Sequence, residues 1–128
     1  MKTKSTAGIK VSVETQYIAK QSHPFTSHYF FTYQITIKNI SDYVVQLKKR
    51  HWYIFDSNGI KSIVEGDGVV GEQPVLAPGD CYQYVSGCHL TTTMGKMHGL
   101  YLMQREIDGK LFTVNIPEFL MMVPYKLN

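Results

Sequence analysis

Apolar and polar residues alternate along most of the chain, and this pattern predicts β-strands. Val11 and Val13 share one parity while Lys10 and Ser12 share the other, as in a strand with one buried face. A longer run repeats the pattern at every second position: Tyr29, Phe31, Tyr33, Ile35 and Ile37. No segment carries a convincing helical period, so we expect little or no helix.

A change of parity inside one predicted strand indicates a β-bulge. Val45 and Leu47 occupy odd positions, whereas the inward positions after residue 50 become even, at Trp52 and Ile54. One extra residue in a strand produces this change. We therefore place a bulge at residues 48–50.

The last hairpin is predicted from its turn. Asp108-Gly109 is typical of a two-residue β-turn, which would set Met103 opposite Val114 and Tyr101 opposite Ile116. All four side chains would then lie on one buried face.

Short antiparallel strands separated by regular turns predict an all-β fold. We expect an immunoglobulin- or fibronectin type III-like antiparallel β-sandwich of about seven strands. Residues 1–9 are small and polar, and we expect them to form a flexible N-terminal segment. Residues 10–128 would form a single domain, and a chain of 128 residues needs neither a disulfide nor a metal to fold.

Composition narrows the class of protein without identifying an activity. Hydrophobic residues make up 44% of the chain and charged residues 18%, which excludes a disordered protein. The formal net charge of +3 permits anionic partners but does not demand them. Cys81 and Cys88 are too few for a disulfide framework, and no segment resembles a signal peptide or membrane helix. We expect a cytoplasmic protein with reduced thiols and no membrane partner.

The stretch from Gly66 to Gly71 contains the spacing G-x-G-x-x-G. A dinucleotide fingerprint requires a helix that begins within this pattern and an acidic residue about twenty positions later. Pro74 and Pro78 follow closely, and proline inside a helix costs about 3 kcal/mol. Thr91 stands near the place of the acidic residue. The dinucleotide interpretation therefore fails.

Three interpretations of this glycine loop remain. Glycine amides can form an anion-binding nest for a phosphate compound or nucleotide, although Glu65, Asp67 and Glu72 would each repel a phosphate charge by about 0.7 kcal/mol at about 6 Å in water. Those carboxylates could instead bind a divalent cation. The favoured interpretation is a loop whose glycines take positive φ values between strands.

Other side chains with possible chemistry are scattered. The five histidines lack zinc-site spacing. Ser22-His23 and Cys88-His89 are neighbours in the sequence, but adjacent strand residues point to opposite faces, so neither pair is a nucleophile–base arrangement by itself. We expect no enzyme, no catalytic residue, no resident metal and no cofactor. Lys48-Lys49-Arg50 beside His51-Trp52 mixes positive charge with aromatic rings, but a solvated bulge explains it equally well, so nucleic acid is disfavoured.

Several motifs resemble those of the bacterial ApaG proteins. The resemblance runs from about Val11 to Pro124, with Thr93 where the family usually has proline. The motifs are Gln21-Ser22-x-Pro24, Tyr33-x-Ile35-Thr36-Ile37-x-Asn39, Val45-Gln46-Leu47-x-x-Arg50-His51-Trp52, Gly66-x-Gly68-Val69-Val70-Gly71-x-Gln73-Pro74, Leu76-x-Pro78-Gly79, Tyr84-x-Ser86-Gly87, Gly95-x-Met97-x-Gly99-x-Tyr101-x-Met103 and Phe112-x-Val114-x-Ile116-Pro117-x-Phe119.

The resemblance implies a fibronectin type III-like sandwich without an established activity. The family is loosely associated with cobalt and magnesium homeostasis, and related eukaryotic domains occur in proteins that bind other proteins. We therefore expect a non-enzymatic binding module for a protein partner or a second copy of the chain, with a phosphate compound or divalent cation as the alternative ligand. An unpaired edge strand is a suitable binding surface. The candidate contact residues are Arg50, His51, Trp52, Gly66, Asp67, Gly68, Gly71, Glu72 and Gln73.

Overall fold

A computed structural model describes residues 1–124. Its strands are β1 (Lys2–Thr6), β2 (Ile9–Tyr17), β3 (Tyr29–Asn39), β4 (Val45–Asp56), β5 (Lys61–Asp67), β6 (Val75–Leu76), β7 (Cys81–Leu90), β8 (Met94–Arg105) and β9 (Leu111–Met122). Two single-turn 3-10 helices, Ala19–Gln21 and Pro24–Thr26, connect β2 to β3. The paired strands among the described residues are antiparallel, so the predicted all-β fold is confirmed.

The strands form the two sheets of a sandwich. The first has the order β1-β2-β3-β7, and the second has the order β5-β4-β8-β9, with β6 also paired to β4. Apolar side chains of both sheets fill the core, each contributing about 1.5–3 kcal/mol when fully buried. They include Val11, Val13, Phe31, Ile35, Ile37, Leu47, Tyr101 and Met103.

The N-terminal residues differ from the expected flexible segment. Residues Lys2–Thr6 form β1, which pairs with β2 from Lys2 opposite Val13 to Thr6 opposite Ile9. Most side chains of β1 are exposed, so the strand depends on backbone pairing, which composition does not reveal. With β1 and the two-residue β6, the described chain has nine strands where we expected about seven. Residues 125–128 of the predicted domain lie outside the described residues.

The bulge predicted at residues 48–50 is confirmed. The register of β4 against β8 shifts between Leu47 and Lys49. The carbonyl of Lys48 accepts hydrogen bonds from the Gly68 amide and from Gln73 Nε2, both at 2.9 Å. The bulge and the glycine loop therefore hold each other in place.

The register predicted for the last hairpin is wrong by two residues. Tyr101 lies opposite Val114 instead of Ile116, because the turn is longer than Asp108-Gly109. The Asp108 carboxylate accepts a bond from the Lys110 amide at 3.0 Å, which shapes this longer turn. A shift of two residues leaves every side chain on its own face. The predicted burial of Tyr101, Met103, Val114 and Ile116 is therefore confirmed.

Candidate functional site

A pocket of about 380 Å³ lies where β4 and β5 run side by side. Arg50, His51, Gly66 and Asp67 line it, and all four are predicted contact residues. Strand pairing brings them together, because Arg50 lies opposite Gly66 and His51 lies opposite Glu65. The rest of the wall consists of Lys49, Glu65, Leu100, Leu102 and Thr113.

Arg50 binds the backbone of the glycine loop. Its Nη1 donates to the carbonyls of Asp67 at 3.1 Å and Gly68 at 3.0 Å. A Cβ atom at Gly66 would lie 2.8 Å from that nitrogen, so glycine allows the guanidinium to lie against β5. Hydrogen bonds from a charged donor are stronger than neutral ones. Arg50 therefore anchors the loop to β4.

His51 is oriented by a carboxylate. Its Nδ1 lies 2.8 Å from Oε1 of Glu65, and its ring centroid lies 4.6 Å from that of Tyr53. The Nε2 atom is buried and has no hydrogen-bond partner within residues 1–124. A carboxylate–imidazole pair resembles part of a catalytic dyad. Because Nε2 is closed to solvent, it is not accessible to a substrate in this arrangement.

The tip of the glycine loop is a tight hairpin. The Val69 amide donates to the Glu72 carbonyl at 2.8 Å, and the Glu72 amide donates to the Val69 carbonyl at 2.9 Å. Between them, Val70 and Gly71 have φ values of +48° and +80°, the left-handed backbone of a type I′ turn. The predicted need for positive φ is met at Gly68 and Gly71, whereas Gly66 accommodates Arg50.

The same hydrogen bonds weaken the anion-nest interpretation. A nest requires successive amides that point at the ligand. The amides of Gly68, Val69 and Glu72 already donate to carbonyls of the protein. The loop therefore offers fewer free donors than its glycine spacing suggests.

Trp52 was wrongly predicted as a contact residue. It is 2% exposed, and its ring contacts those of Tyr33 and Phe119 at centroid distances of 5.3 and 5.9 Å. Alternation along β4 places Trp52 on the inner face, whereas His51 lies on the outer face. Gly71, Glu72 and Gln73 are exposed at the loop and lie outside the wall of the pocket.

Strand β5 is an edge strand. Within residues 1–124 it pairs only with β4, and every residue except Gly66 is exposed. The backbone amide of Asp56 donates to the Ile60 carbonyl, and the backbone amide of Gly68 donates to the Lys48 carbonyl. Hydrogen-bonded pairs alternate along an antiparallel ladder, so the even residues of β5 bond to β4. The amides and carbonyls of residues 61, 63, 65 and 67 therefore point to the free side.

An aromatic row on the outer face of the second sheet was missed in the sequence. His51, Tyr53 and Phe55 alternate along β4, and the ring of His98 from β8 stacks beside Tyr53 at 5.0 Å and beside Phe55 at 5.7 Å. The ammonium group of Lys61 on β5 lies 5.7 Å from the Phe55 ring centroid. The alternation of the three β4 rings was the available signal, because it places them on one face.

The inner face behind the pocket carries buried phenols. The hydroxyls of Tyr84 and Tyr101 are 2.5 Å apart, and burial raises the pKa of both, while the charge of Arg50 opposes that rise. Burial likewise raises the pKa of the Cys88 thiol to about 11. These groups remain protonated at neutral pH, so none is an activated nucleophile.

The described residues contain no preassembled metal site. Within residues 1–124, no group of three or more His, Cys, Asp or Glu side chains is placed to hold a metal ion.

Over the same residues, no helix is long and apolar enough to cross a membrane.

Comparisons with known proteins extend over nearly the whole chain. It is 53% identical to Protein ApaG of Brucella anthropi over 119 residues, which are 93% of this chain and 91% of that protein. It is 50% identical to Protein ApaG of Vibrio cholerae over 120 residues, 94% of each chain. Its fold matches the crystal structure of an ApaA protein from Bordetella pertussis with a TM-score of 0.88 and 42% identity, covering 91% of this chain and 94% of the other.

A family model agrees with these relatives. The model of the ApaG domain matches residues 19–105, which include β3 to β8 and all the predicted contact residues. The relatives and the fold extend that match in both directions. The chain therefore belongs to the ApaG domain family.

Proposed function

We propose that the chain is a non-enzymatic protein-recognition module, and that the free edge of β5 receives an extended segment of the partner. The observation that carries this proposal is the exposed backbone of β5 at residues 61, 63, 65 and 67. Such an edge adds a strand from another chain through main-chain hydrogen bonds, while side-chain contacts select the sequence.

The surroundings of β5 support a role in side-chain selection. Ile63 is 63% exposed and Val64 is 39% exposed, so apolar contact area is available on both faces of the strand. The pocket beside Arg50 and His51 lies at the Asp67 end of β5. A peptide paired with β5 therefore passes next to a cavity that can accept one of its side chains.

The titratable groups support a binding role over catalysis. Tyr84, Tyr101 and Cys88 have raised pKa values because they are buried. His51 has one nitrogen paired with Glu65 and the other closed to solvent. Chemistry at neutral pH requires an accessible base or an activated nucleophile, which these groups do not provide.

The test uses a linear peptide library selected on the wild-type protein. Enriched peptides are titrated by calorimetry against Ile63→Pro, which removes an outward amide, and Ile63→Thr, which keeps it. Proline is tolerated where the strand amide faces away from the sheet. We expect Ile63→Pro to weaken binding at least tenfold and Ile63→Thr to weaken it less.

A matched control lies on the free edge of the first sheet. The Asn39 amide donates to the Asp80 carbonyl, so odd residues of β7 point outward by the same alternation. Val85 on β7 is 56% exposed, and Val85→Pro should leave peptide binding unchanged. Equal binding of the peptides to Ile63→Pro and wild type would refute the use of β5, as would failure to enrich any peptide.

A second candidate is a small-ligand module for a phosphate compound or divalent cation. The pocket of about 380 Å³ beside Lys49 and Arg50 favours it, because this volume lies in the range of ligand sites. Thermal unfolding with ATP, pyrophosphate, Mg²⁺ and Co²⁺ tests it. A ligand at 100 times its Kd adds about 2.7 kcal/mol of stability, and unchanged unfolding with every compound would reject this candidate.

A further inference from the structure

The side chains on the outer face of β5 follow a self-complementary order. Lys61, Ile63 and Glu65 occupy alternate positions and are all exposed. An antiparallel partner strand that matches them must present an acidic, an apolar and a basic residue in turn. The strand β5 has this order itself when it is read in the opposite direction.

Pairing centred on Ile63 matches the side chains of two β5 strands. It places Ile63 against Ile63 of the second copy and Lys61 against Glu65 of the second copy, and twofold symmetry repeats the charge pair. A centre at Val64 would place Ile63 against Glu65, and a centre at Glu65 would bring two carboxylates together. Opposite charges in facing positions stabilise a strand pair and like charges destabilise it. The pairing centred on Ile63 also brings outward-pointing amides of both strands into hydrogen-bonding positions.

The neighbours of β5 hold these side chains in place for such a contact. The Lys61 ammonium lies over the ring of Phe55, and Glu65 is held by His51 while 64% of its side chain remains exposed. Tyr53 lies opposite Ile63 on β4. Pairing two β5 edges would therefore join the apolar row of Tyr53 and Ile63 to the same row of the second copy.

We propose that the occupant of the β5 edge is a second copy of this chain, paired antiparallel about a twofold axis at Ile63. The proposal rests on the proposed function, because both use the same free edge. It joins two five-stranded sheets into one continuous sheet, which is an isologous contact of the kind found in twofold dimers.

Charge reversal tests the pairing without touching the core. Lys61→Glu and Glu65→Lys each place like charges in both facing pairs, and each variant should lower the dimer association constant at least tenfold in sedimentation equilibrium. An equimolar mixture restores opposite charges in both pairs. We therefore expect heterodimers with an association constant within about threefold of wild type. A mixture as weak as the single variants would overturn the proposal, as would single variants that associate like wild type.

Cross-linking tests the register. In a Cys81→Ser background, Ile63→Cys places two thiols at the twofold axis, whereas Val85→Cys places an equally accessible thiol on the other free edge. A short bis-maleimide should link Ile63→Cys into dimers and leave Val85→Cys monomeric. Equal cross-linking of the two variants would overturn the register. If the wild type stays monomeric while Ile63→Pro still weakens peptide binding at least tenfold, the second copy is the wrong occupant and the peptide-binding proposal stands.

Discussion

Replacing Arg50 by Met tests whether this side chain is an anchor for the glycine loop. Methionine keeps an unbranched stem and removes the guanidinium, so the bonds to the Asp67 and Gly68 carbonyls are lost. Hydrogen bonds to a charged group contribute about 1.5–3 kcal/mol each. Arg50 is only half-buried, so solvent replaces part of that contribution. We expect Arg50→Met to lower the free energy of unfolding by about 2–3 kcal/mol.

Urea unfolding measures this loss, and Lys49→Met is the matched control. Lys49 is the adjacent residue on β4 and is exposed, so its replacement should change stability by less than about 0.5 kcal/mol. Hydrogen exchange of the Gly68 and Val69 amides should accelerate in Arg50→Met only, because these amides depend on the anchored loop. If the two variants are equally stable and exchange alike, Arg50 does not anchor the loop.

Three further predictions concern the loop and the core. Gly68→Ala should lower the free energy of unfolding in urea by about 2–4 kcal/mol, because the φ of Gly68 is +63° and the new Cβ would lie 2.1 Å from the Glu72 carbonyl oxygen. Its control is Gly71→Ala, where φ is also positive but no atom lies close to the new Cβ, so the loss should be only about 1–2 kcal/mol. Val70→Asn should raise the free energy of unfolding by about 1 kcal/mol, since asparagine tolerates the positive φ at this exposed position better than a β-branched residue; unchanged or lower stability would contradict this account. Burial raises the pKa of the Cys88 thiol from 9.0 to about 11. The stability gained by burying the neutral thiol is therefore fully present below pH 9, and about 2.7 kcal/mol of the free energy of unfolding is lost as the pH rises to 11. In pH-dependent urea unfolding, wild type should lose this much more stability than Cys88→Ala over that interval.

Local patterns predicted the faces of the strands better than their partners. Alternation identified the inner residues of β3, and the change of parity after Leu47 identified the bulge, because both depend on the geometry of one strand. The register of β8 against β9 depends on the turn that joins them. The Asp108 carboxylate stabilises a longer turn there, which a two-residue turn motif does not reveal.

The segments of the candidate site could also be identified from local sequence, whereas the contacts between them could not. The contact segments 50–52 and 66–73 were both identified as sequence features, but the pairing of Arg50 with Gly66 depends on the register of β4 against β5. The aromatic row requires His98 from β8 to stack beside Tyr53, a contact between residues far apart in the chain. Trp52 lies on the opposite face from His51 because neighbouring strand residues point to opposite sides.

The pairing of β3 with β7 has a consequence for synthesis on the ribosome. Tyr29 of β3 lies opposite Leu90 of β7, and the three strands between them in the chain all belong to the other sheet. A ribosome adds about 5–20 residues per second, so β3 waits on the order of seconds after its own synthesis before β7 emerges. During that interval one edge of β3 lacks its strand partner, and this edge is exposed to aggregation or to chaperones while the chain is still being made.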